Sequence, residues 1–354
     1  MAAMGSDDFT FGQAEDYALM VRHLLQPLQP WLDQDDVLEI CVNRPGEVWV
    51  ERHEGWDAPH AVPALTFDRC VQLAIAVATS TSQIVGSAHP LLGAVLPDGE
   101  RVQFALPPAV PRDTVSVTIR RPSSRLLTLD DLAAGGLFQR VVPPSNDLQP
   151  HEKDLRQLLK RGLVPEFLKL AMVTKQNMLV GGHTGCGKTT VLKALAELIP
   201  LHERLFTVES AAELLTPHHR NAVHLFWSDG GQSVADVTPH DLLMAALRGR
   251  PDRVLLAETR GPEAYYMIRF GMSGHPGSMT TLHSKTPRMA FDQLSMMVQE
   301  SPQGRGIPDA KVEQLLKSNI DIVLQFGNDG SGRFVQEIWY DPEGKRDVAP
   351  EAKP

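Results

Sequence analysis

The chain has 354 residues, of which 42% are hydrophobic and 22% are charged; this is more than one compact core usually holds, so we expect two domains. The formal net charge of -9 excludes a basic field over the whole molecule that would hold nucleic acid, although a local basic patch is compatible with it. The three cysteines, Cys41, Cys70 and Cys186, are too few and too far apart for a disulfide framework and fit a reducing compartment.

The sequence contains no sign of membrane insertion or secretion. No apolar run reaches the ~18 residues of a membrane span. The start, MAAMGSDDFTFGQAED, lacks the basic and apolar regions of a secretory signal. We therefore expect a cytoplasmic protein that docks on a membrane through its partners.

The first part of the chain mixes helices and short strands. Residues 14–33 form an amphipathic pattern that Pro27 and Pro30 interrupt, and residues 68–80 form another. Strand patterns occur in VLEICVNRPGEVWVE, AVLPDGERVQFALPP and TVSVTIRRPSS. We predict a smaller α+β domain over residues 1–122.

Residues 123–165 have little strand signal and several prolines. A compact domain seldom contains so long an irregular segment, so we predict a linker that carries short helices.

From residue 166 to 345, strands and helices alternate. Strands are expected in QNMLVGG, RLFTVES, AVHLFWS and RVLLAET, and helices in TTVLKALAELI and PHDLLMAALRG, the second with Thr238 as its N-cap. This alternation predicts an α/β domain with a mostly parallel sheet covered on both faces. Residues 346–354 are expected to be a disordered tail.

The segment GGHTGCGKTT, residues 181–190, matches the phosphate-loop pattern G-x-x-x-x-G-K-[ST] between a strand and a helix. Its glycines allow backbone N–H groups to approach phosphate oxygens. Lys188 supplies a cation for the β- and γ-phosphates, and the Thr189 hydroxyl suits Mg²⁺. We therefore expect ATP and Mg²⁺ to bind here, at these residues: Gly182, Thr184, Gly185, Cys186, Gly187, Lys188, Thr189 and Thr190.

Cys186 fits the loop as a small side chain, and its thiol predicts a sensitivity to alkylation that bound ATP blocks.

Acidic residues end two of the predicted strands. Glu258 ends RVLLAE at the edge where parallel sheets bind ligands, so we expect it to reach Mg²⁺, through water, or the attacking water. Glu209 ends RLFTVE and is a second candidate for orienting that water, with Glu213 as the alternative. For both strand ends, a solvated glutamate without a catalytic role is the competing interpretation.

The segment SGHPGSMTTLHS places His275 in a glycine-rich turn and His283 at the end of a short strand over residues 279–282. His275 is a candidate to sense the γ-phosphate or to cross to a neighbouring subunit. Either histidine is equally compatible with a structural hydrogen bond, and their spacing does not suit a metal site.

Taken in this order, GGHTGCGKTT, PDRVLLAETRGPEA and SGHPGSMTTLHS resemble the VirB11 family of traffic ATPases from bacterial type IV secretion and conjugation. LEICVNRPGEVWVE, LPDGERVQFALPP and VTIRRPSS in the amino-terminal half resemble the same family. The resemblance covers about residues 35–340. It implies a RecA-like P-loop ATPase domain after a smaller domain, a homohexameric ring and a peripheral position on the inner membrane.

The resemblance also implies site residues and partners. Lys188 and Thr189 correspond to the Walker A residues, Glu258 to the Walker B glutamate and His275 to the histidine box. Arg101 and Arg120 resemble amino-domain arginines that reach over the nucleotide, with Arg121 as the alternative to Arg120. The implied partners are other type IV secretion ATPases, inner-membrane components and a lipid surface, with no sequence-specific nucleic acid.

One segment departs from the family pattern. The family's acidic box usually reads E-D-T-R-E-L, whereas this chain has Glu209-Ser210-Ala211-Ala212-Glu213-Leu214. The roles of the missing Asp and Arg therefore cannot be transferred.

Three alternatives stay open at the level of sequence. A nucleotide-gated docking scaffold with slow turnover is compatible with the altered acidic box. A type II secretion or pilus retraction motor is the nearest enzyme alternative, and a DNA-translocating motor is less compatible with the net charge of -9. The absence of an H-R-D motif argues against a kinase.

Overall fold

The computed structural model describes residues 11–122, 126–143, 145–214, 216–228, 233–329 and 332–346, with side chains from residue 16 onward. The chain forms two compact units, Met1–Arg125 with Leu225–Arg250, and Leu126–His224 with Pro251–Pro354.

The helices lie mostly where the apolar periodicity predicts them. They are α1 Phe11–Leu25, α2 Gln29–Leu32, α3 Phe67–Ser80, α4 Leu129–Ala134, α5 Pro150–Lys160, α6 Val164–Val173, α7 Lys188–Ala196, α8 Pro239–Arg248, α9 Ala264–Met272, α10 Pro287–Glu300 and α11 Asp309–Asn319. A 3₁₀ turn at Gln26–Leu28 separates α1 from α2, as the prolines there predict.

The strands form two sheets. They are β1 Val37–Arg44, β2 Glu47–Arg52, β3 Gly55–Trp56, β4 His60–Ala61, β5 Leu91–Val95, β6 Arg101–Ala105, β7 Ser116–Arg120, β8 Met178–Gly182, β9 Leu205–Glu209, β10 Ala222–Phe226, β11 Arg253–Leu256, β12 Met279–Leu282, β13 Ile322–Asn328 and β14 Arg333–Tyr340.

The first unit is built on an antiparallel sheet with strand order β3-β2-β1-β7-β6-β5, to which β4 adds beside β2. The turn between β1 and β2 contains Gly46, whose φ of +81° favours glycine. Helices α1 and α3 pack together over this unit's apolar core. The fold is therefore α+β, as its mixed patterns predict.

Helix α8 belongs to the first unit, although its position in the sequence predicted a place in the second domain. Thr238 caps it by accepting the N–H of Asp241, as predicted. Arg248, its last residue, lies against Gly93 of β5, where an added Cβ would come 2.6 Å from the Arg248 Nη1 atom. Just beyond it, the Arg250 Nε atom donates to the Glu51 Oε2 atom at 2.8 Å.

The second unit contains the sheet with strand order β10-β9-β11-β12-β8-β13-β14. The neighbours from β9 to β13 run parallel, and β14 adds antiparallel to β13. Buried apolar side chains line both faces of the sheet, in two separate clusters. This is the predicted mostly parallel α/β fold.

The predicted linker is only partly a linker. Helix α5 lies inside the range 123–165, yet its Leu155 is fully buried in the same core cluster as Phe167 of α6. The apolar side of α5 is thus part of the second unit. Residues 347–354 of the expected tail lie outside the described residues. Within the described ranges, every helix is too short or too polar to cross a membrane.

Candidate functional site

The loop after β8 is shaped to receive an anion. Gly185 and Gly187 have φ angles of +78° and +97°, which side-chain-bearing residues rarely adopt. Gly182 is equally constrained, because an added Cβ would clash with the Cys186 sulfur and lie 3.2 Å from Phe326. Gly187 is the N-cap of α7, so the first N–H groups of that helix and its positive dipole end face the loop.

Lys188 begins α7 and is mostly buried. Its Nζ atom donates to the carbonyls of Gly182 at 3.0 Å and His183 at 3.3 Å, and lies 3.4 Å from the His283 Nδ1 atom. Burial lowers the pKa of the ammonium group, while the nearby Cys186 and Glu258 act in the opposite direction. Within the described residues, no carboxylate forms an ion pair with Lys188, so its charge is available to a phosphate.

Glu258 was predicted to end its strand, but β11 ends at Leu256 and Glu258 follows two residues later, beyond the strand's carboxyl end. The Glu258 Oε1 atom is 2.8 Å from the His283 Nε2 atom. The Glu258 Oε2 atom accepts a hydrogen bond of 2.6 Å from the Arg260 Nη2 atom. Because β11, β12 and β8 are successive parallel strands, their carboxyl ends meet at one edge of the sheet. A run of polar contacts therefore joins Lys188, His283, Glu258 and Arg260.

His283 and Arg260 are the members of this run that were not predicted as site residues, although a functional role for His283 was left open. A site role for His283 is indicated by its place directly after β12, because β12 is the neighbour of β8, the strand before the phosphate loop. That signal shows only once the strand order is known. Arg260 follows Glu258 by two residues, inside the segment PDRVLLAETRGPEA that resembles the family, but the resemblance gave it no role of its own.

The predicted hydroxyl groups occupy the beginning of α7 and the loop. Thr189 is half-buried in the first turn of α7, directly after Lys188, whereas Thr184 and Thr190 are exposed. Cys186 is only 1% exposed, so the alkylation expected from the sequence has no route from solvent.

Glu209 lies at the end of β9, but its carboxylate is occupied by its own neighbours. One oxygen accepts the N–H groups of Glu213 at 2.8 Å and Leu214 at 2.7 Å. The other accepts the Thr207 hydroxyl at 2.8 Å and lies 3.8 Å from the His224 Nδ1 atom. These contacts favour a role in holding the loop after β9 over a role in orienting water.

The pKa of Glu209 reflects these contacts. Burial alone would raise it, but the neighbouring His224 ring and the hydrogen bonds from the Leu214 N–H, Thr207 and the Glu213 N–H together leave it below its usual value. Glu213, the alternative candidate, is exposed and lies in an irregular loop.

His275 lies in the turn after α9. Its ring packs edge-to-face on Phe270 with 5.8 Å between centroids, and its carbonyl accepts the Ser278 hydroxyl at 3.2 Å. These two contacts are those of a residue that shapes the turn before β12.

Arg101 and Arg120 face each other across β6 and β7 of the first unit. Both line a cavity of about 410 Å³, together with Arg248. Like charges directly opposite each other on a sheet repel, so this wall favours an anion. The Arg120 Nε atom lies 2.8 Å from the Glu39 Oε1 atom. Arg121, the alternative to Arg120, is bonded instead to the Gln34 carbonyl.

Comparisons with known proteins point to one family. Residues 23–326 match the model of the type II/IV secretion system protein family. A VirB11 type IV secretion protein of Brucella suis is 43% identical over 334 residues, covering 93% of this chain and 92% of that protein. A VirB11 protein of Bartonella quintana is 42% identical, covering 92% and 94%.

A solved structure shows the same likeness. The crystal structure of the VirB11 ATPase from the Brucella suis type IV secretion system, in complex with sulphate, superposes with a TM-score of 0.91. Its sequence is 42% identical, and the match covers 95% of this chain and 99% of that one.

Proposed function

The chain belongs to the VirB11 family of type IV secretion traffic ATPases, and from this premise we propose that it hydrolyses Mg²⁺-complexed ATP on the loop 182–189 to drive motion of its two units. The observation that carries the proposal is the buried ammonium group of Lys188 at the head of a glycine-lined loop, joined to Glu258 through His283.

In the proposed reaction, the loop amides and Lys188 hold the β- and γ-phosphates of ATP. Glu258 orients the water whose oxygen bonds to the γ-phosphorus as the bond to the β,γ-bridging oxygen breaks, giving ADP and phosphate. His283 fixes the spacing between the cation that holds the phosphate and the carboxylate that orients the water. The chain's contribution is mainly positioning and electrostatic stabilisation.

Magnesium fits the oxygen atoms near the loop. When bound, Mg²⁺ would supply positive charge that offsets the negative charge of the phosphates. The Thr189 hydroxyl would hold it directly and the Glu258 carboxylate through water. The described residues contain no group of three His, Cys, Asp or Glu side chains that could hold a metal ion, so phosphate oxygens and waters would complete the shell.

For Arg101, Arg120, His275 and Glu209, the proposal keeps the roles that the family resemblance implies. The paired arginines on the cavity wall of the first unit support an action on the nucleotide's charge. The contacts of His275 and Glu209 support them less, because Phe270 and the 213–214 backbone engage them.

We also propose that the chain assembles into a homohexamer that works with other type IV secretion ATPases and inner-membrane components, on the cytoplasmic face of the inner membrane and beside its lipid surface. An apolar stretch in the second unit supports self-association, because large exposed apolar side chains mark interaction surfaces. Its exposed members are Leu126, Leu129, Leu137, Phe138, Val141 and Val142.

Hydrolysis by site variants tests the proposed reaction. Lys188→Ala should lower ATP turnover by about a hundredfold or more, the effect of removing a group that stabilises transition-state charge. Lys193→Ala, an exposed lysine on the same helix, is the matched control and should keep normal turnover. Full hydrolysis by Lys188→Ala would contradict the mechanism. Tight ATP binding with negligible turnover by the unaltered chain would instead indicate a docking scaffold.

A further inference from the structure

We propose that Arg333 is a nucleotide-binding residue that contacts the end of ATP remote from the γ-phosphate; this inference rests on the proposed function. Arg333 is the first residue of β14 and pairs with Asn328 of β13. A Cβ built on Gly187 would lie 3.3 Å from the Arg333 Cδ atom and 3.5 Å from its Nη1 atom. The side chain therefore lies on the bare backbone of the residue that caps α7.

The positive charges around Arg333 favour the binding of an anion. The N-terminus of α7 carries a positive partial charge, and Lys188 adds a full one. Arg333 brings a second full positive charge to the same place. In the part of the chain that the structure describes, no carboxylate pairs with Arg333. A cation next to a helix N-terminus is unfavourable alone and becomes favourable when an anion lies between them.

The strand order indicates which part of the nucleotide Arg333 meets. His283 and Glu258 follow β12 and β11, which lie on one side of the phosphate-loop strand β8. Hydrolysis at Glu258 requires the γ-phosphate to point to that side. Strands β13 and β14 lie on the opposite side of β8. The α-phosphate and ribose leave the loop toward that side, so the Arg333 guanidinium faces them.

A guanidinium in this position suits phosphate oxygens, because its fork of N–H donors forms two parallel charge-assisted hydrogen bonds. The side chain is exposed and closes no part of the core, so substitution should leave the fold intact. Its contribution is to hold ADP and ATP alike. This distinguishes it from Glu258, which acts where the γ-phosphate is cleaved.

Equilibrium binding of Mg²⁺-ADP and of a non-hydrolysable Mg²⁺-ATP analogue tests the inference. Arg333→Gln should weaken both by the same factor, about tenfold, which is what one charge-assisted contact of modest strength contributes. The KM for ATP should rise while kcat stays unchanged. Arg333→Lys should recover part of the affinity, since it keeps the charge and loses the fork. Arg288→Gln, an exposed arginine on α10, is the matched control and should bind normally.

Three results would overturn the inference: unchanged affinity for both nucleotides in Arg333→Gln, weakened binding of the ATP analogue alone, or a fall in kcat at constant KM. The second would place the side chain at the γ-phosphate. Equal melting temperatures of the variants and the unaltered chain confirm that the fold is kept. If the unaltered chain binds neither nucleotide, the proposed function itself fails, whereas a failure confined to Arg333 leaves that function standing.

Discussion

At the scale of single residues, His283 connects the two halves of the candidate site. It touches the Lys188 ammonium group with one ring nitrogen and the Glu258 carboxylate with the other. Lys188 and Thr189 are recognisable from sequence because their spacing is local. The positions of His283 and Arg333 follow from strand order, which no short pattern encodes.

His283→Ala should lower kcat for ATP hydrolysis by about a hundredfold, which is what a misplacement of a catalytic group by about 1 Å can cost. Binding should change little, because Lys188 keeps its carbonyl contacts at Gly182 and His183. Steady-state kinetics separates the two effects. His202→Ala, an exposed histidine in the same unit, is the control. A higher KM with normal kcat would show that His283 serves binding alone.

Glu209 gives a prediction about pH. Its pKa is lower in the folded chain than the usual value of about 4.3. The stabilisation from its ionised form is therefore complete above that value and is lost as pH falls through the folded-state pKa. The stability gap between the unaltered chain and Glu209→Gln, measured by urea unfolding, should be larger at neutral pH than below pH ~4. Exposed Glu213→Gln is the control, and a gap that does not vary with pH would contradict this account.

At the scale of elements, strands and helices were largely predictable because their apolar periodicity is local. Two placements were not. Helix α5 has the composition of a linker helix, yet Leu155 is in the second core. Helix α8 follows β8, β9 and β10 in sequence, yet it belongs to the first unit. There Arg248 lies against Gly93 of β5, and Arg250 just after the helix bonds to Glu51 of β2. Both placements depend on contacts between residues distant in sequence.

Leu155→Ala tests whether α5 is structural. Because Leu155 is fully buried, the substitution should lower the free energy of unfolding by about 2–5 kcal/mol. Leu137→Ala, in the exposed stretch after α4, removes the same atoms from a side chain that is 60% exposed and should have little effect. Denaturant unfolding measures both. Equal effects of the two substitutions would mean that α5 behaves as a linker.

At the scale of the whole molecule, the chain combines an antiparallel α+β unit and a parallel α/β unit that carries the phosphate loop. The fold class followed from the sequence because alternating strands and helices limit the possible topologies. Which residues belong to each unit did not follow from the sequence, because residues 225–250 belong to the first unit.

Self-association is predicted at this scale. We expect the purified chain to reach the mass of a hexamer in the presence of Mg²⁺-ATP, measured by light scattering coupled to size exclusion. Val141→Asp with Val142→Asp should weaken the assembly, because it places charge in the exposed apolar stretch. Substitution of the exposed Lys193 by alanine is the control. A monomer under all conditions would contradict the proposed ring.

The central claim is that the loop from Gly182 to Thr189, with the Lys188 ammonium group, grips the phosphates of ATP. Titration calorimetry with Mg²⁺-complexed, non-hydrolysable ATP tests it most directly. The account predicts saturable binding by the unaltered chain and its loss in Lys188→Ala, with both proteins folded. Binding of equal strength in the two proteins, or none in the unaltered chain, would contradict it.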